Sequence, residues 1–344
     1  MNHAALALLA SAGLLLAGCT TGPSPDFDGQ AAYDFVEGLV TDPDGGPRYR
    51  VPGTPGHAEA ADWLWDQMAH PGWERSWRNV TGEEYEALDK GAVAVYAEEG
   101  RCPGEDREQV GNLTFHNLVA VKRASPPSDR LFLMGAHWES KEEANHDRDR
   151  NKAKQPVLGA NDGASGVGVL LQLMRELDDV DLTFDVGVIF FDGEDGFEDC
   201  HPLAGSIAYA AQLEPGEVDR FLLLDMVGDP DARYIKEQRG VLSDPELVDL
   251  IWKHGHRLGG AKNFIDKTSS VADDHVPFFE RGIPAVDVID YGRGERQQGF
   301  PPYWHTSQDT MVNLSPAMLG LVGATVMATI QDPAFEASLV AGTA

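Results

Sequence analysis

Five short, almost unbroken apolar runs constrain this chain more than any other feature: Asn117 to Val121, Leu131 to Ala136, Phe184 to Phe191, Phe221 to Leu224 and Pro284 to Ile289. A strand with one face in water alternates apolar and polar residues, whereas a strand covered on both faces reads as a continuous run. Helical spacing lies around and between the runs, in Ala61-Leu64-Trp65-Met68, Val167-Leu170-Leu171-Met174-Leu177, Leu247-Leu250-Ile251 and Pro316 to Ile330. The alternation predicts one α/β domain with a mixed, mostly parallel central sheet flanked by helices on both faces, a three-layer architecture. At 344 residues the chain is long for one domain, but α/β enzymes often reach such lengths undivided, and no internal repeat is present. Trp73 and Trp77 are expected in the core.

The ends read differently. Ala4 to Ala17 is uncharged and apolar, too short to span a membrane, and ends in small residues, so residues 1–18 are expected to be a signal peptide. Leu16-Ala17-Gly18-Cys19 resembles a bacterial lipobox, although Met1-Asn2-His3 lacks the usual basic residue. The expectation is an exported lipoprotein facing the periplasm or cell exterior, held to the membrane only through a lipid on Cys19. Residues 19–29 then form a flexible tether, residues 30–332 the folded domain and residues 333–344 a tail. Cys102 and Cys200 are the remaining thiols; an oxidising compartment permits them to pair, and the sequence leaves open whether they meet. The sequons at Asn79, Asn112 and Asn313 read as chance matches.

Charge removes some functions. Asp plus Glu number 56 against 27 Lys plus Arg, a net charge of -29, which repels a phosphate backbone over most of the surface and excludes nucleic acid as a partner. The segment Lys141 to Lys154 is dense in charge without apolar periodicity, and is expected to be an exposed loop between a strand and the next helix, either flanking the active site or, the favoured reading, a solvated insertion. The chain contains neither a phosphate-binding loop nor a G-x-S-x-G elbow, and Gly163-Ala164-Ser165-Gly166 lacks the nucleotide fingerprint.

Chemistry is concentrated where strands end, as expected of an α/β sheet, in which ligands gather at the carboxyl ends of strands. The run to Ala136 delivers His137; Phe184 to Phe191 leads through Asp192-Gly193 to Glu194 and Asp195; Phe221 to Leu224 ends at Asp225. Asp162 falls at a helix start, and His305 follows a Gly/Pro-rich loop after Ile289. One strand-end acid is often only a cap or turn residue, but coincidence across several is much rarer. Two carboxylates and an imidazole form a normal zinc set with one position left open, and Glu194 would then stand beside the metal as a general base.

Gly159-Ala160-Asn161-Asp162-Gly163-Ala164-Ser165-Gly166, Phe190-Phe191-Asp192-Gly193-Glu194-Asp195, Leu224-Asp225-Met226-Val227-Gly228, Asp273-Asp274-His275-Val276-Pro277-Phe278 and Tyr303-Trp304-His305-Thr306 occur in that order. Together they resemble the signature blocks of the zinc-dependent aminopeptidase and glutaminyl cyclase superfamily, and Arg50 to Gly56 resembles its opening segment. The resemblance implies a zinc exopeptidase-like fold, peptide N-termini as substrate, zinc held by Asp162, Asp195 and His305, and Glu194 as the acid/base residue. In the aminopeptidase branch His137 and Asp225 would serve a second zinc, with Asp162 bridging. In the cyclase branch one zinc remains, Asp225 and Asp273 share a hydrogen-bond network, and N-terminal glutamine closes to pyroglutamate with release of ammonia.

The block Asp273 to Phe278 and Trp304-His305-Thr306 resemble the cyclases in detail, with Trp304 as a pocket wall. Two departures stand out: Glu139 where the family usually carries Asp, and Asp195 where many relatives carry Glu. The first disfavours the second metal. A non-catalytic binding module is the competing class of function, against which the intact Asp162, Glu194, Asp195 and His305 argue. His275 and Asp274 are expected to be structural; His201, His254 and His256 suit surface or helix roles. Oligomeric state is open.

Overall fold

The computed structural model describes residues 26–88, 113–178, 180–195, 202–294 and 298–341. Cys19, Cys102, Asn112, Cys200 and His201, with the expected signal peptide and most of the tether, lie outside the described residues. A six-stranded sheet runs in the order β1-β2-β4-β3-β5-β8, built from β1 (Trp73–Thr81), β2 (Thr114–Lys122), β3 (Leu131–His137), β4 (Asp185–Phe191), β5 (Arg220–Asp225) and β8 (Ala285–Ile289). β3, β4, β5 and β8 are parallel, while β1 and β2 pair antiparallel at one side. The mixed, mostly parallel sheet follows the sequence expectation, and all five apolar runs are strands.

Their unbroken apolarity has a direct cause. Phe132, Met134, Ala136, Val186, Val188, Phe190, Leu222 and Leu224 enter one core. The alternate residues Leu133, Ile189, Phe191, Phe221 and Leu223 enter another on the opposite face. The first face is covered by α1 (Gly29–Val40), α4 (Ala164–Glu176) and α9 (Pro316–Ile330), the second by α5 (Ala204–Gln212) and α8 (Val276–Glu280). Helix starts carry ordinary signals: Thr54 accepts from the His57 N–H ahead of Pro55 in α2 (Pro55–Gln67), and Asp244 accepts from the Leu247 N–H ahead of Pro245 in α7 (Pro245–Arg257).

Three strands lack such a run. β1 is an edge strand whose Trp73 is 8% exposed and whose Glu74, Arg75 and Arg78 hold the open side. β6 (Tyr234–Glu237) and β7 (Phe264–Ser269) form a separate parallel pair, short and half polar. Trp77 is half-buried and stacks on Trp65 with ring centroids 4.9 Å apart. Past residue 332 the chain forms α10 (Pro333–Ala341) rather than a loose tail, because Phe335 and Leu339 are buried and Phe335 packs edge-on against Phe132 and Phe184.

Candidate active site

The carboxyl ends of the parallel strands converge as the sequence implied. β3 terminates on His137 and β5 on Asp225, and the chain leaving β4 turns at Gly193, whose φ of +72° is a conformation that glycine adopts freely. Glu194 and Asp195 are thereby carried over the sheet edge. Asp162 immediately precedes α4, and Gly163 after it has no substitute, since a Cβ there would lie 2.2 Å from His137 Cδ2.

Asp162, Asp195 and His305 each offer a ligand atom within 4.8 Å of the others'. His305 Nε2 lies 2.8 Å from Asp195 Oδ1 and 3.6 Å from Asp162 Oδ2. A second group shares Asp162: His137 Nε2 is 3.0 Å from Asp162 Oδ1 and 3.4 Å from Asp225 Oδ1. Asp162 thus turns one oxygen to each imidazole. Asp162 Oδ2 and Asp225 Oδ1 are buried and make no hydrogen bond, and unbonded carboxylate oxygens out of water are costly unless a cation completes them. Oxygen and imidazole donors facing a shared point fit a zinc ion.

The backbone around these donors is gripped by residues far away in sequence. Asp309 accepts hydrogen bonds from the Asn161 and Asp162 N–H groups at 2.9 and 3.1 Å. Glu139 Oε1 accepts from the Asp195 N–H at 2.9 Å, and the Lys141 ammonium donates to the Asp195 carbonyl at 3.0 Å. The other oxygen of Glu139 stands 3.4 Å from His137 Nδ1. Glu139 therefore fixes the shorter Asp195 while facing His137, which ties the two departures noted in the sequence to one contact. Asn161 bonds the Tyr303 hydroxyl, which donates to Asp229, linking the Asp162 segment to the His305 turn. Asp309, Lys141, Asn161 and Tyr303 carried no signal in the sequence beyond their place in or near a recognised block.

A cavity of about 230 Å³ opens on the cluster, lined by Asp162, Glu194, Asp195, Asp225, Asp273 and Trp304 among others. Trp304 stacks on the His305 ring at 3.8 Å and on Phe300 at 4.0 Å, making an aromatic wall opposite the acids. Burial, reinforced by Asp195, Asp274 and Glu139, pushes the Glu194 carboxyl well above its ordinary range despite His137 nearby. Burial also raises Asp225 to about 6 and, with Asp225 and Glu194 as neighbours, lifts Asp273 well above its usual value. Asp195 goes the other way: burial would raise it, but His305 and Lys141 hold it below the carboxylate range.

Asp274, His275, His254 and His256 belong to none of these donor groups. His275 is buried with Nε2 3.2 Å from Glu237, and Asp274 is buried near enough to Glu194 to help raise its carboxyl. His254 meets Asp332 and His256 bonds the Phe264 carbonyl. The loop Lys141 to Lys154 departs from expectation at its start, where Lys141 is 5% exposed because its ammonium reaches into the site.

Residues 117–330 match Peptidase family M28, and the chain belongs to that family. A Zn-dependent exopeptidase from Parabacteroides distasonis superposes with a TM-score of 0.74 at 29% identity, over 90% of this chain and 100% of that one. Glutaminyl cyclase from Porphyromonas gingivalis gives 0.72 at 29% identity, over 88% and 97%. The glutaminyl-peptide cyclotransferase-like protein of Bos taurus is 25% identical over 297 residues, 78% of this chain and 67% of the relative. The match to a Drosophila melanogaster relative spans only 59% of that protein's length. The protein is an enzyme of this superfamily.

Proposed function

We propose that the protein is a zinc-dependent glutaminyl-peptide cyclotransferase, converting N-terminal glutamine of peptides to pyroglutamate with release of ammonia. The observation that carries this reading is the set of carboxyls Glu194, Asp225 and Asp273 lining one pocket, all held above their ordinary range and set against the Trp304 wall. Burial that disfavours the charged form suits a carboxyl to hold and pass on protons within a cleft. The names borne by the bovine relative and the P. gingivalis structure support the same substrate.

Asp162, Asp195 and His305 would hold the ion. Zinc bound there polarises a carbonyl and stabilises negative charge developing on its oxygen. The substrate carries its α-amine beside its own side-chain amide, so ring closure needs orientation more than activation. Trp304 and Phe300 pack against the aliphatic part of the glutamine and exclude water. As the amine nitrogen bonds to the amide carbon, Glu194 accepts the proton it sheds. Glu194 then returns that proton to the amide nitrogen, the carbon–nitrogen bond breaks and ammonia leaves. Asp225 and Asp273 keep the pocket acidic and hold hydrogen-bonding groups near the leaving nitrogen.

The test is product analysis by mass spectrometry on a Gln-initiated peptide, with a pyroglutamyl peptide and one ammonia per turnover expected. A free amino acid and a shortened peptide would contradict the cyclase reading.

That outcome belongs to a second reading, a two-zinc aminopeptidase, favoured by the approach of His137 Nε2 to both Asp162 and Asp225. A metal content near two zinc ions per chain would support it. We propose further that the enzyme is exported and anchored through lipidated Cys19, a reading that rests on the sequence. Loss of membrane partitioning on Cys19→Ala tests it.

A further inference from the structure

The outer part of the charged loop takes no part in the chemistry above, yet it is tied to a metal-ligand segment. Asp147 Oδ2 accepts from the N–H of Ser307 at 3.2 Å and from its hydroxyl at 2.6 Å, across 160 residues of chain. Beside it, the His146 N–H donates to the His305 carbonyl at 3.0 Å. The His146 ring meets Trp304 edge-on at 4.6 Å and lies 5.4 Å from the His305 ring. The residue so bracketed is strained: His305 has a φ of +53°, the left-handed region that residues with a Cβ occupy only when their surroundings impose it. The clamp is itself shaped, because the other oxygen of Asp147 accepts from the Asp149 N–H at 3.0 Å and Asp149 in turn accepts from the Asn151 N–H at 2.9 Å.

We propose that Asp147 is a positioning residue for the metal ligand His305, fixing the turn through Ser307 so that the imidazole Nε2 faces Asp162 and Asp195. A ligand on a strained turn relaxes if either side of the turn is released, and its nitrogen then leaves the shared point. Partners that orient a metal ligand without touching the ion commonly matter almost as much as the ligand. The inference rests on the zinc-binding part of the proposed function and not on which reaction follows.

Zinc affinity of the full chain, measured by competition with a chromogenic chelator, tests this without reference to turnover. Asp147→Ala should weaken zinc binding at least about tenfold and shift the absorption bands of the cobalt-substituted protein. Asp147→Asn keeps an acceptor oxygen for Ser307 and should stay within about threefold of wild type. Asp149→Asn removes the same charge from the same loop and should change affinity less than about twofold, since exposed charges are screened. If Asp147→Ala does not fold, Ser307→Ala, which removes the shorter of the two bonds, should still weaken binding about threefold. Unchanged zinc affinity in the folded variants overturns the inference alone. A wild-type chain without zinc affinity overturns the metal reading and this inference together.

Discussion

The two ends of the central sheet treat charge in opposite ways. At the amino ends of the parallel strands, ions come in pairs: Arg130 with Asp219 at 2.7 Å, Arg123 with Asp185 at 2.7 Å, and the buried Arg220 with Asp244 at 3.0 Å. At the carboxyl ends, Glu139, Asp162, Glu194, Asp195, Asp225, Asp273 and Asp274 crowd around two imidazoles and Lys141. One edge is electrically closed, whereas the other holds a surplus of acid that protons or a cation must neutralise. The first arrangement suits a folded core, and the second, by its displaced pKa values, suits the binding of protons or a cation.

The largest effect separating the edges should come from Glu194→Gln. It should lower kcat/KM by about 10²–10⁴-fold with bound zinc unchanged, as read by steady-state kinetics beside metal analysis; an unaltered rate would remove Glu194 from the mechanism. At the paired edge, Asp244→Asn preserves the helix cap but strands the buried Arg220. Unfolding in denaturant should show a loss of about 3 kcal/mol with zinc affinity intact.

A pH series distinguishes the edges next. Asp225, Asp274 and Asp309 are raised by burial to about 6, 7 and 8, above the ordinary value of 3.8. The folded, metal-depleted protein therefore binds more protons than the unfolded chain. The stability linked to these groups is fully present near pH 4 and is lost as pH rises through 6 to 8. Thermal scans of metal-depleted protein should show this as a Tm that falls between about pH 5 and pH 8, and added zinc should offset it most at the alkaline end. A flat profile would mean that the acids at this edge are already paired. The smallest effect is expected from Asp273→Asn, which replaces an acid whose charged form burial disfavours by a neutral amide of nearly the same shape. Metal-depleted stability should change by less than about 1 kcal/mol while kcat falls, the reverse of the pattern at Asp244.

Legibility in the sequence followed how local each feature is. Strands buried on both faces announced themselves through composition alone, and α9 ended where its apolar pattern ended. β1 escaped because an edge strand needs charge on its open side, and β6 and β7 because short half-polar segments carry little periodic signal. In the site, His137, Asp162, Asp195 and Asp225 were visible because each ends or follows a strand or precedes a helix, and His305 through its block Tyr303-Trp304-His305-Thr306. Their braces were not: Asp309 holds Asp162 from 147 residues away, and Lys141 holds the Asp195 carbonyl from within a stretch whose charge density favoured a solvated insertion. Glu139 and Asp195 looked like separate departures from the family pattern until the contact between them was seen.

Arg50 extends the same logic to assembly. Its buried guanidinium donates to the carbonyls of Trp138, Leu158, Gly159 and Glu139, gathering the exit from β3 and the approach to Asp162 into one knot. The segment that supplies it precedes every strand of the sheet. The carboxyl edge therefore takes its shape from a part of the chain that is made before any strand of the sheet, the same part that supplies α1 to cover one face of the core.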